Sequence, residues 1–333
     1  MSRLRIATFN VESLGEHSST AAPLAARIAT LRPQFTRLDA DIVCLQEIDA
    51  EDLPGEGRAL LALDELLAGT KYEHYFRASS RSIHGDYPAD RHNLVILSRF
   101  PIQRVEQVRH SIVCPLSYAP ITARPQPGAP IEVRFDRPLL YCAVTLPNGR
   151  QLHVLNLHLK APLASAIPGQ KRSASAWNST AGWAEGFFIA AMKRAGQALE
   201  ARLLVDRIFD GEPDAMIVVC GDFNADSWEV PVRIVRGGAD ETNNNALASR
   251  TLTALELQIP KPQRYSVVHA GRHVMLDHIL ASRALLALLN EAELHNEQLS
   301  DEVYSHPETR QPAESFHAPL CAEFDFSRYE RGR

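Results

Sequence analysis

Residues 216–226 place two polar side chains directly after a buried strand. The apolar run Met216-Ile217-Val218-Val219-Cys220 is too short for a helix and rich in β-branched residues, which predicts a strand buried on both faces. The run ends in Gly221-Asp222-Phe223-Asn224, where glycine permits a sharp turn and Asp222 and Asn224 can point to the same side. A carboxylate there can orient or deprotonate a nucleophile, and an amide can donate hydrogen bonds to an anion. Taken alone, the pattern is more typical of a polar turn.

Other predicted strand ends carry polar groups of the same kinds: Asn10 with Glu12, Glu47, Asn156 with His158, Asp277, and His317. Any one of them is more typical of structure than of catalysis. Together they predict a site at one edge of packed sheets, rich in carboxylate, amide and imidazole. Hard oxygen ligands suit Mg²⁺ or Mn²⁺, and two histidines with several amides suit a phosphate.

The elements that must position these groups alternate along the chain. Apolar spacing predicts helices over residues 21–39 (interrupted by Pro33), 60–67, 183–209 and 284–294. Strands are predicted over residues 4–9, 41–47, 72–76, 93–98, 139–146, 152–158, 216–220, 274–280 and 320–326, with a hairpin turn at 147–150. Residues 79–92 and 161–182 have the composition of loops, and a loop as long as the second is often functional. Because no linker interrupts the alternation, we expect a single domain over residues 1–333.

Bulk composition limits the classes of function. The chain has 333 residues, 45% of them hydrophobic, and a formal net charge of -5, which argues against broad binding to duplex nucleic acid. There is no signal-peptide core and no apolar run long enough for a membrane span. Five scattered cysteines, an odd number without CxxC spacing, are typical of reduced thiols. We therefore expect a cytoplasmic protein without a membrane or an obligate protein partner.

The ordered set of motifs resembles the endonuclease/exonuclease/phosphatase superfamily, whose members include DNase I-like nucleases, abasic-site endonucleases, sphingomyelinases and inositol polyphosphate 5-phosphatases. The matching blocks are residues 8–10 (Thr-Phe-Asn), 45–47 (Leu-Gln-Glu), 97–101 (Leu-Ser-Arg-Phe-Pro), 156–160 (Asn-Leu-His-Leu-Lys), 221–224, 276–280 (Leu-Asp-His-Ile-Leu) and 315–319 (Ser-Phe-His-Ala-Pro). Each block is weak alone, but they follow the family order over nearly the whole chain, and the overall similarity is greatest to bacterial members. The resemblance implies a DNase I-like four-layer α/β sandwich of two mostly antiparallel sheets flanked by helices. It replaces the parallel doubly wound sheet that alternation alone favours.

The resemblance also implies roles for individual residues. Glu47 is similar to the principal ligand of a divalent metal, Mg²⁺ or Mn²⁺, with Asn10 nearby and Glu12 as a further metal-shell candidate. Asp222 is expected to activate the attacking water. Asn224 and His158 are expected to contact phosphate, with Asn156 in support. His317 is similar to the catalytic histidine of the family, and Asp277 to the carboxylate that orients it and raises its pKa. The implied activity is metal-dependent hydrolysis of a phosphoester, of the phosphodiesterase or nuclease type.

One block departs from the family pattern. Ser315-Phe316-His317 stands where the family has Ser-Asp-His, so a carboxylate commonly associated with the metal or its waters is replaced by Phe316. Two alternatives therefore stay open: a small-molecule phosphatase of the same superfamily, and a weakened protein that binds phosphate without efficient turnover. The substrate is expected to be nucleic acid or a small phosphodiester, and the acidic balance favours a non-duplex substrate.

For several further residues, packing or surface charge explains the sequence at least as well as a functional role does. His278 is expected to pack or to form internal hydrogen bonds. Surface charge explains His92, Arg91, Lys160, Lys171 and Arg172 as well as substrate contact does, and core packing is the preferred explanation for Trp183, while Trp177 is a candidate lining residue.

Overall fold

The computed structural model describes residues 3–15, 22–55, 57–304 and 313–327. Its strands are β1 (Arg3–Leu14), β2 (Ile42–Ile48), β3 (Glu51–Leu53), β4 (Gly57–Ala59), β5 (Phe76–Ser79), β6 (Asn93–Ser98), β7 (Ile102–Val108), β8 (Leu116–Tyr118), β9 (Ile131–Val133), β10 (Leu139–Thr145), β11 (Gln151–His158), β12 (Met216–Asp222), β13 (Thr253–Ala254), β14 (Val267–His269), β15 (Arg272–Val274), β16 (Asp277–Ala281), β17 (Leu289–Leu294) and β18 (Leu320–Asp325). The α-helices are α1 (Leu24–Leu38), α2 (Leu61–Leu67), α3 (Thr180–Gly211), α4 (Val230–Arg236) and α5 (Arg283–Leu286). Short 3₁₀ helices cover Lys71–His74, Ala239–Thr242, Asn245–Arg250, Leu255–Gln258 and Lys261–Gln263.

Two six-stranded sheets form the centre of the molecule. Sheet I has the order β17-β18-β1-β2-β6-β5, and sheet II has the order β13-β16-β12-β11-β10-β7. In each sheet one central pair is parallel, β1 with β2 and β11 with β12, and the remaining pairs are antiparallel. The pairing agrees with the predicted mostly antiparallel arrangement.

The buried side chains define the layers. Because strand side chains alternate between faces, Leu4 and Ile6 of β1 join Met216 and Val218 of β12 in one core between the sheets. The opposite face of sheet I packs on α1 and α2, and the opposite face of sheet II packs on α3 and α4. The predicted four-layer sandwich is therefore confirmed.

Most predicted elements are present within a few residues. The first predicted helix begins at Leu24 and continues through Pro33 to Leu38, and residue 21 lies outside the described residues. The third extends beyond its predicted ends because the Ser179 hydroxyl accepts a hydrogen bond from the Gly182 N–H and caps α3.

Two local predictions were wrong. Residues 284–294 have helical spacing, but only Arg283–Leu286 is helical, and Leu289–Leu294 instead pairs with β18 as an edge strand of sheet I. Tertiary pairing overrides local propensity there. Residues 72–76 are mostly a 3₁₀ turn, because the Thr70 hydroxyl accepts the Tyr72 N–H and caps it.

Among the residues that the structure describes, none of the helices is both long enough and apolar enough to cross a membrane.

Candidate active site

A row of three polar side chains crosses one end of sheet II. Asp222 continues the face of β12 that carries Met216, Val218 and Cys220 into the core between the sheets. The strand register places His158 of β11 opposite Asp222 and Asp222 opposite Asp277 of β16. The regular alternation of three adjacent strands is therefore sufficient to bring these residues together.

Gly221 allows β12 to continue to this end of the sheet. Its φ is +137°, and a Cβ built at this position would lie 1.9 Å from the Leu157 carbonyl oxygen of β11. Any side chain would push the two strands apart next to Asp222. Glycine is therefore required at this position both by the close approach of β11 and by the positive φ.

Sheet I contributes its polar groups by a different route. Asn10 lies opposite Gln46, and Gln46 points between the sheets, so Glu47 should face away from the site by simple alternation. Glu47 instead has a left-handed φ of +61°, and the pairing of β2 with β6 shifts between Leu45 and Ile48. A β-bulge of this kind redirects a side chain. It brings the Glu47 carboxylate to the row on sheet II.

Asn10 links the two sheets at this point. Its Nδ2 donates to Glu47 Oε1 at 3.2 Å and to Asp222 Oδ2 at 3.0 Å, while its Oδ1 accepts the Glu12 N–H at 3.0 Å. The Glu12 N–H fixes the direction of the amide, since only an oxygen can accept it. The expectation that Asn10 belongs to the metal site stays a prediction, and in the structure its amide nitrogen orients two carboxylates.

Glu47, His158 and Asp222 bring ligand-type atoms within 4.8 Å of one another. His158 Nε2 lies 3.6 Å from Glu47 Oε1 and 3.4 Å from Asp222 Oδ2, and its side chain is only 2% exposed. Two carboxylates in so small a volume suit a divalent cation, which would offset two buried negative charges, and the imidazole lies beside them. The residues present therefore fit one such ion.

His92 was not assigned to the site from the sequence, yet it contacts Glu47. Its Nδ1 lies 3.4 Å from Glu47 Oε2, and its ring makes an edge contact with His158 at 6.2 Å between centroids. His92 follows a loop and precedes β6, so no strand-end pattern marks it. The left-handed backbone of His92, φ +57°, is visible only in the structure.

The surroundings set the charge states of this group. Burial opposes ionisation of Glu47, but the His92 hydrogen bond and the Arg137 charge help to hold the pKa of Glu47 well below its usual range. Burial, reinforced by the nearby Arg137 charge, lowers the pKa of His158 well below its ordinary value. Glu47 is therefore a carboxylate at neutral pH and His158 a neutral imidazole.

Asp222 and Asn224 form a compact turn at the end of β12. Asp222 accepts the Asn224 N–H at 2.8 Å on Oδ1 and Asn224 Nδ2 at 3.1 Å on Oδ2, and Nδ2 also donates to the Leu159 carbonyl at 3.1 Å. Burial, followed by the neighbouring Asp277 charge, raises the pKa of Asp222 despite the opposing charge of His317. An aspartate with a raised pKa is suited to accept a proton from water.

His317 and Asp277 form a buried pair beside Asp222. His317 Nδ1 lies 2.8 Å from Asp277 Oδ2, with side-chain exposures of 13% and 1%. Burial disfavours the charged ring, but Asp277, then Asp222 and Glu12, outweigh it and raise the pKa of His317 to about 10. His317 is therefore an imidazolium at neutral pH, with Nδ1 held by Asp277 and Nε2 left as its other donor.

A carboxylate reaches the 315–317 segment although residue 316 is Phe. The Phe316 N–H donates to Glu12 Oε2 at 2.8 Å, and the Ser315 hydroxyl donates to the Asn10 carbonyl at 2.7 Å. Burial raises the pKa of Glu12, although the Phe316 hydrogen bond and the His317 charge both lower it. The neighbouring Glu47 charge raises it further. Glu12 thus lies beside His317, outside the group formed by Glu47, His158 and Asp222.

Asn156 occupies a different place from the one expected for a phosphate contact. Its side chain is fully buried, and its Nδ2 donates to the carbonyls of Leu45 at 2.9 Å and Val95 at 3.0 Å. Its Oδ1 accepts Gln46 Nε2 at 2.7 Å. Both donors are used within the core, so Asn156 ties sheet II to sheet I and supports the site from beneath without reaching a ligand.

His278 makes the internal hydrogen bonds expected of it. It is fully buried, with Nδ1 2.6 Å from Glu256 Oε1 and Nε2 donating to the Ala225 carbonyl at 2.8 Å. The ring therefore anchors the residue that follows Asn224.

A second group of ligand-type residues has a different character. Glu293, His295 and Cys321 also converge within 4.8 Å. Arg5 already supplies a cation to Glu293, and burial raises the pKa of the Cys321 thiol to about 12. A metal-binding cysteine must lose its proton, so this group is better explained as an ion pair beside a buried thiol.

Comparisons with known proteins agree with the fold. A sequence profile of the Endonuclease/Exonuclease/phosphatase family matches residues 7–301, and the chain belongs to this family. Family members hydrolyse phosphoester bonds and use divalent metals. A comparison with curated proteins found no match.

Solved structures with the same fold cover nearly the whole chain. Truncated TDP2 from Caenorhabditis elegans is 14% identical with a TM-score of 0.55, covering 97% of this chain and 98% of its own. The 3' phosphatase NExo from Neisseria, bound to a product DNA hairpin, is 19% identical with a TM-score of 0.52, covering 97% and 99%. TDP2 from D. rerio, complexed with a single-strand DNA product, is 17% identical with a TM-score of 0.55, covering 98% and 100%. At these identities the likeness shows the fold alone.

Proposed function

We propose that this protein is a Mg²⁺- or Mn²⁺-dependent phosphodiesterase of the nuclease type. The observation that carries the proposal is the position of Asp222, which has Glu47 and His158 within 4.8 Å on one side and belongs to the same strand row as Asp277, the partner of His317. A base for water, a cation site and a fixed imidazolium thus surround one point. In-line phosphoryl transfer needs these three parts and little covalent chemistry from the protein.

Each residue has a definite task in this proposal. Asp222, which is held by Asn10 and Asn224, orients the attacking water and accepts its proton. The His317 imidazolium, held by Asp277, donates from Nε2 to a phosphoryl oxygen and stabilises the charge that develops there. Glu47 holds the divalent ion, and Asn10 fixes the angle between Glu47 and Asp222. The bound ion supplies Lewis-acid stabilisation of the phosphoryl oxygens.

Phosphate contacts are assigned to Asn224 and His158. Both hydrogens of Asn224 Nδ2 are engaged by Asp222 and Leu159, so a phosphoryl oxygen must replace one of these acceptors. His158 is neutral, and its Nε2 lies 3.4 Å from Asp222 Oδ2. An N–H on Nε2 would donate to a phosphoryl oxygen bound beside Asp222.

Hydrolysis of bis-p-nitrophenyl phosphate with and without Mg²⁺ or Mn²⁺ tests the proposal. We expect metal-activated turnover by the wild type and a loss of about 10²-fold or more in Glu47→Gln, because the variant keeps the shape but removes the ligand charge. Glu65→Gln, an exposed glutamate on α2, is the matched control and should retain full activity. Full activity of Glu47→Gln would exclude this metal site.

Phe316 favours one competing function, a protein that binds phosphate with little turnover. If that function is correct, the wild type binds phosphate without hydrolysing the diester, and Phe316→Asp gains metal-dependent hydrolysis. The small-molecule phosphatase alternative is tested with p-nitrophenyl phosphate. A preference for this monoester over the diester would replace the phosphodiesterase assignment.

A further inference from the structure

An exposed tryptophan follows the phosphate-site turn at short range. Trp228 is 67% exposed, although a large aromatic side chain is usually buried. Trp228 is four positions after Asn224 in the chain, so their Cα atoms are at most about 14 Å apart. That reach is short enough for a nucleotide next to the scissile phosphate.

The turn that carries Trp228 is well defined. The Glu229 N–H donates to the Asp226 carbonyl at 2.9 Å, and the Asp226 N–H donates to Glu229 Oε2 at 2.7 Å. Below it, the Ser227 hydroxyl faces Glu256 Oε1 at 3.5 Å, and Glu256 is held by His278. Trp228 is thus presented by a hydrogen-bonded corner of the molecule.

A cavity of about 440 Å³ adjoins the indole, lined by Trp228, Arg233, Arg236, Gly238, Asp240 and Glu241. We call it the Trp228 pocket. The Arg236 guanidinium lies 5.6 Å from the Trp228 ring centroid, and among the described residues its buried Nε has no hydrogen-bond partner. Arg233 pairs with Glu241 at 2.6 Å. The charges of the lining residues balance, so the pocket suits a flat, neutral ring with hydrogen-bond acceptors better than a phosphate.

Four basic side chains lie beside the active site. Lys160 and Lys193 share one carboxylate, Asp136, at 3.5 Å and 2.6 Å. Arg137 Nη1 lies 3.5 Å from the Leu159 carbonyl that also accepts from Asn224, and Arg194 Nη1 donates to the Lys160 carbonyl at 3.1 Å. We call Arg137, Lys160, Lys193 and Arg194 the cationic strip.

Arg137 is the end of the cationic strip near the active site, and Arg194 is the end near Trp228. Arg137 acts on Glu47 and His158 in the site. Arg194 interacts with Glu229, the neighbour of Trp228. Four basic groups against Asp136 and Glu229 leave a local excess of two positive charges on a chain of net charge -5, and such an excess can hold phosphates of a nucleic-acid backbone.

We propose that the Trp228 pocket stacks a base of a single-stranded nucleic acid while the cationic strip holds the phosphates between that base and the active site. The proposal rests on the proposed function and adds the substrate class to it. In a duplex the faces of the bases are covered by their neighbours, whereas an unstacked base presents its face to an aromatic side chain. Stacking on Trp228 with the Arg236 guanidinium alongside is the arrangement of a single-strand binding surface.

Equilibrium binding of a fluorescein-labelled single-stranded oligonucleotide, measured in EDTA by anisotropy, tests the pocket separately from catalysis. We expect Trp228→Ala to weaken binding about tenfold or more and Trp228→Phe to restore most of it, because phenylalanine keeps a stacking face. Trp183→Ala, which removes another exposed tryptophan, is the matched control and should bind like the wild type. An oligonucleotide with abasic positions should lose the difference between wild type and Trp228→Ala.

Three outcomes would overturn the proposal. One is unchanged binding by Trp228→Ala, and another is an equal loss on intact and abasic strands. The third is equal affinity for thymidine monophosphate and the oligonucleotide, which would make the ligand a free nucleotide and leave the cationic strip without a role. Hydrolysis of bis-p-nitrophenyl phosphate is measured in parallel. Its absence with intact Trp228-dependent binding rejects the proposed function alone, and the reverse result rejects only the pocket.

Discussion

The two sheets bring their polar residues to the site in different ways. Sheet II uses regular alternation, so that His158, Asp222 and Asp277 occupy one row across three paired strands. Sheet I uses irregular backbone: Glu12, Ser13 and Glu47 have left-handed φ values, and the pairing of β1 with β2 and of β2 with β6 shifts at this end. The strand register therefore places His158, Asp222 and Asp277, whereas a bulge places Glu47.

The largest effect is expected on the sheet II side, from Asp222→Asn. The amide keeps the size of the side chain but cannot accept the proton of water, so kcat should fall about 10²- to 10⁴-fold. Metal-activated hydrolysis of bis-p-nitrophenyl phosphate measures the loss, and thermal unfolding checks that the fold is retained. A loss smaller than that of Glu47→Gln would contradict the assignment of Asp222 as the base.

Gly221→Ala tests the regular strand pairing of sheet II through the free energy of unfolding. The new Cβ meets the Leu157 carbonyl oxygen at 1.9 Å in addition to the positive φ, so we expect a loss of about 3 kcal/mol or more in urea unfolding. Gly149→Ala is the control, because its φ is +79° but no atom lies within 4 Å of the added Cβ. It should cost about 1 kcal/mol. Equal losses in the two variants would show that the close approach of β12 to β11 is unimportant.

Asp277→Asn gives a smaller, pH-dependent effect. Asp277 raises the pKa of His317 to about 10, so its removal lowers that pKa, and the alkaline limb of kcat/KM should move to lower pH. The same pair stabilises the fold fully below the unfolded pKa of about 6.5, and this contribution is lost as pH rises through about 10. An unshifted alkaline limb would separate His317 from the pH dependence.

The sequence predicted the strand ends of sheet II because period-two alternation and an apolar run are local properties. Asp222, His158 and Asp277 were therefore expected together, and the structure places them in one row. The same alternation could not predict the direction of Glu47, which depends on a bulge, and the resemblance to a family supplied it.

Residues outside strand ends were harder to predict. His92 reaches Glu47 from a loop through a backbone conformation that the sequence does not encode visibly. Asn156 has the correct parity for the site but lies deeper, where Leu45, Val95 and Gln46 satisfy its amide. Its position depends on how two sheets pack, and one strand cannot reveal that.

We propose that one divalent ion binds where the bulge of sheet I meets the row of sheet II. Mn²⁺ binding measured by electron paramagnetic resonance tests it most directly, with Glu47→Gln compared against Glu293→Gln from the second group of ligand-type residues. We expect one Mn²⁺ per chain in the wild type and in Glu293→Gln, and its loss in Glu47→Gln. Retained binding in Glu47→Gln, or loss in Glu293→Gln alone, would contradict the claim.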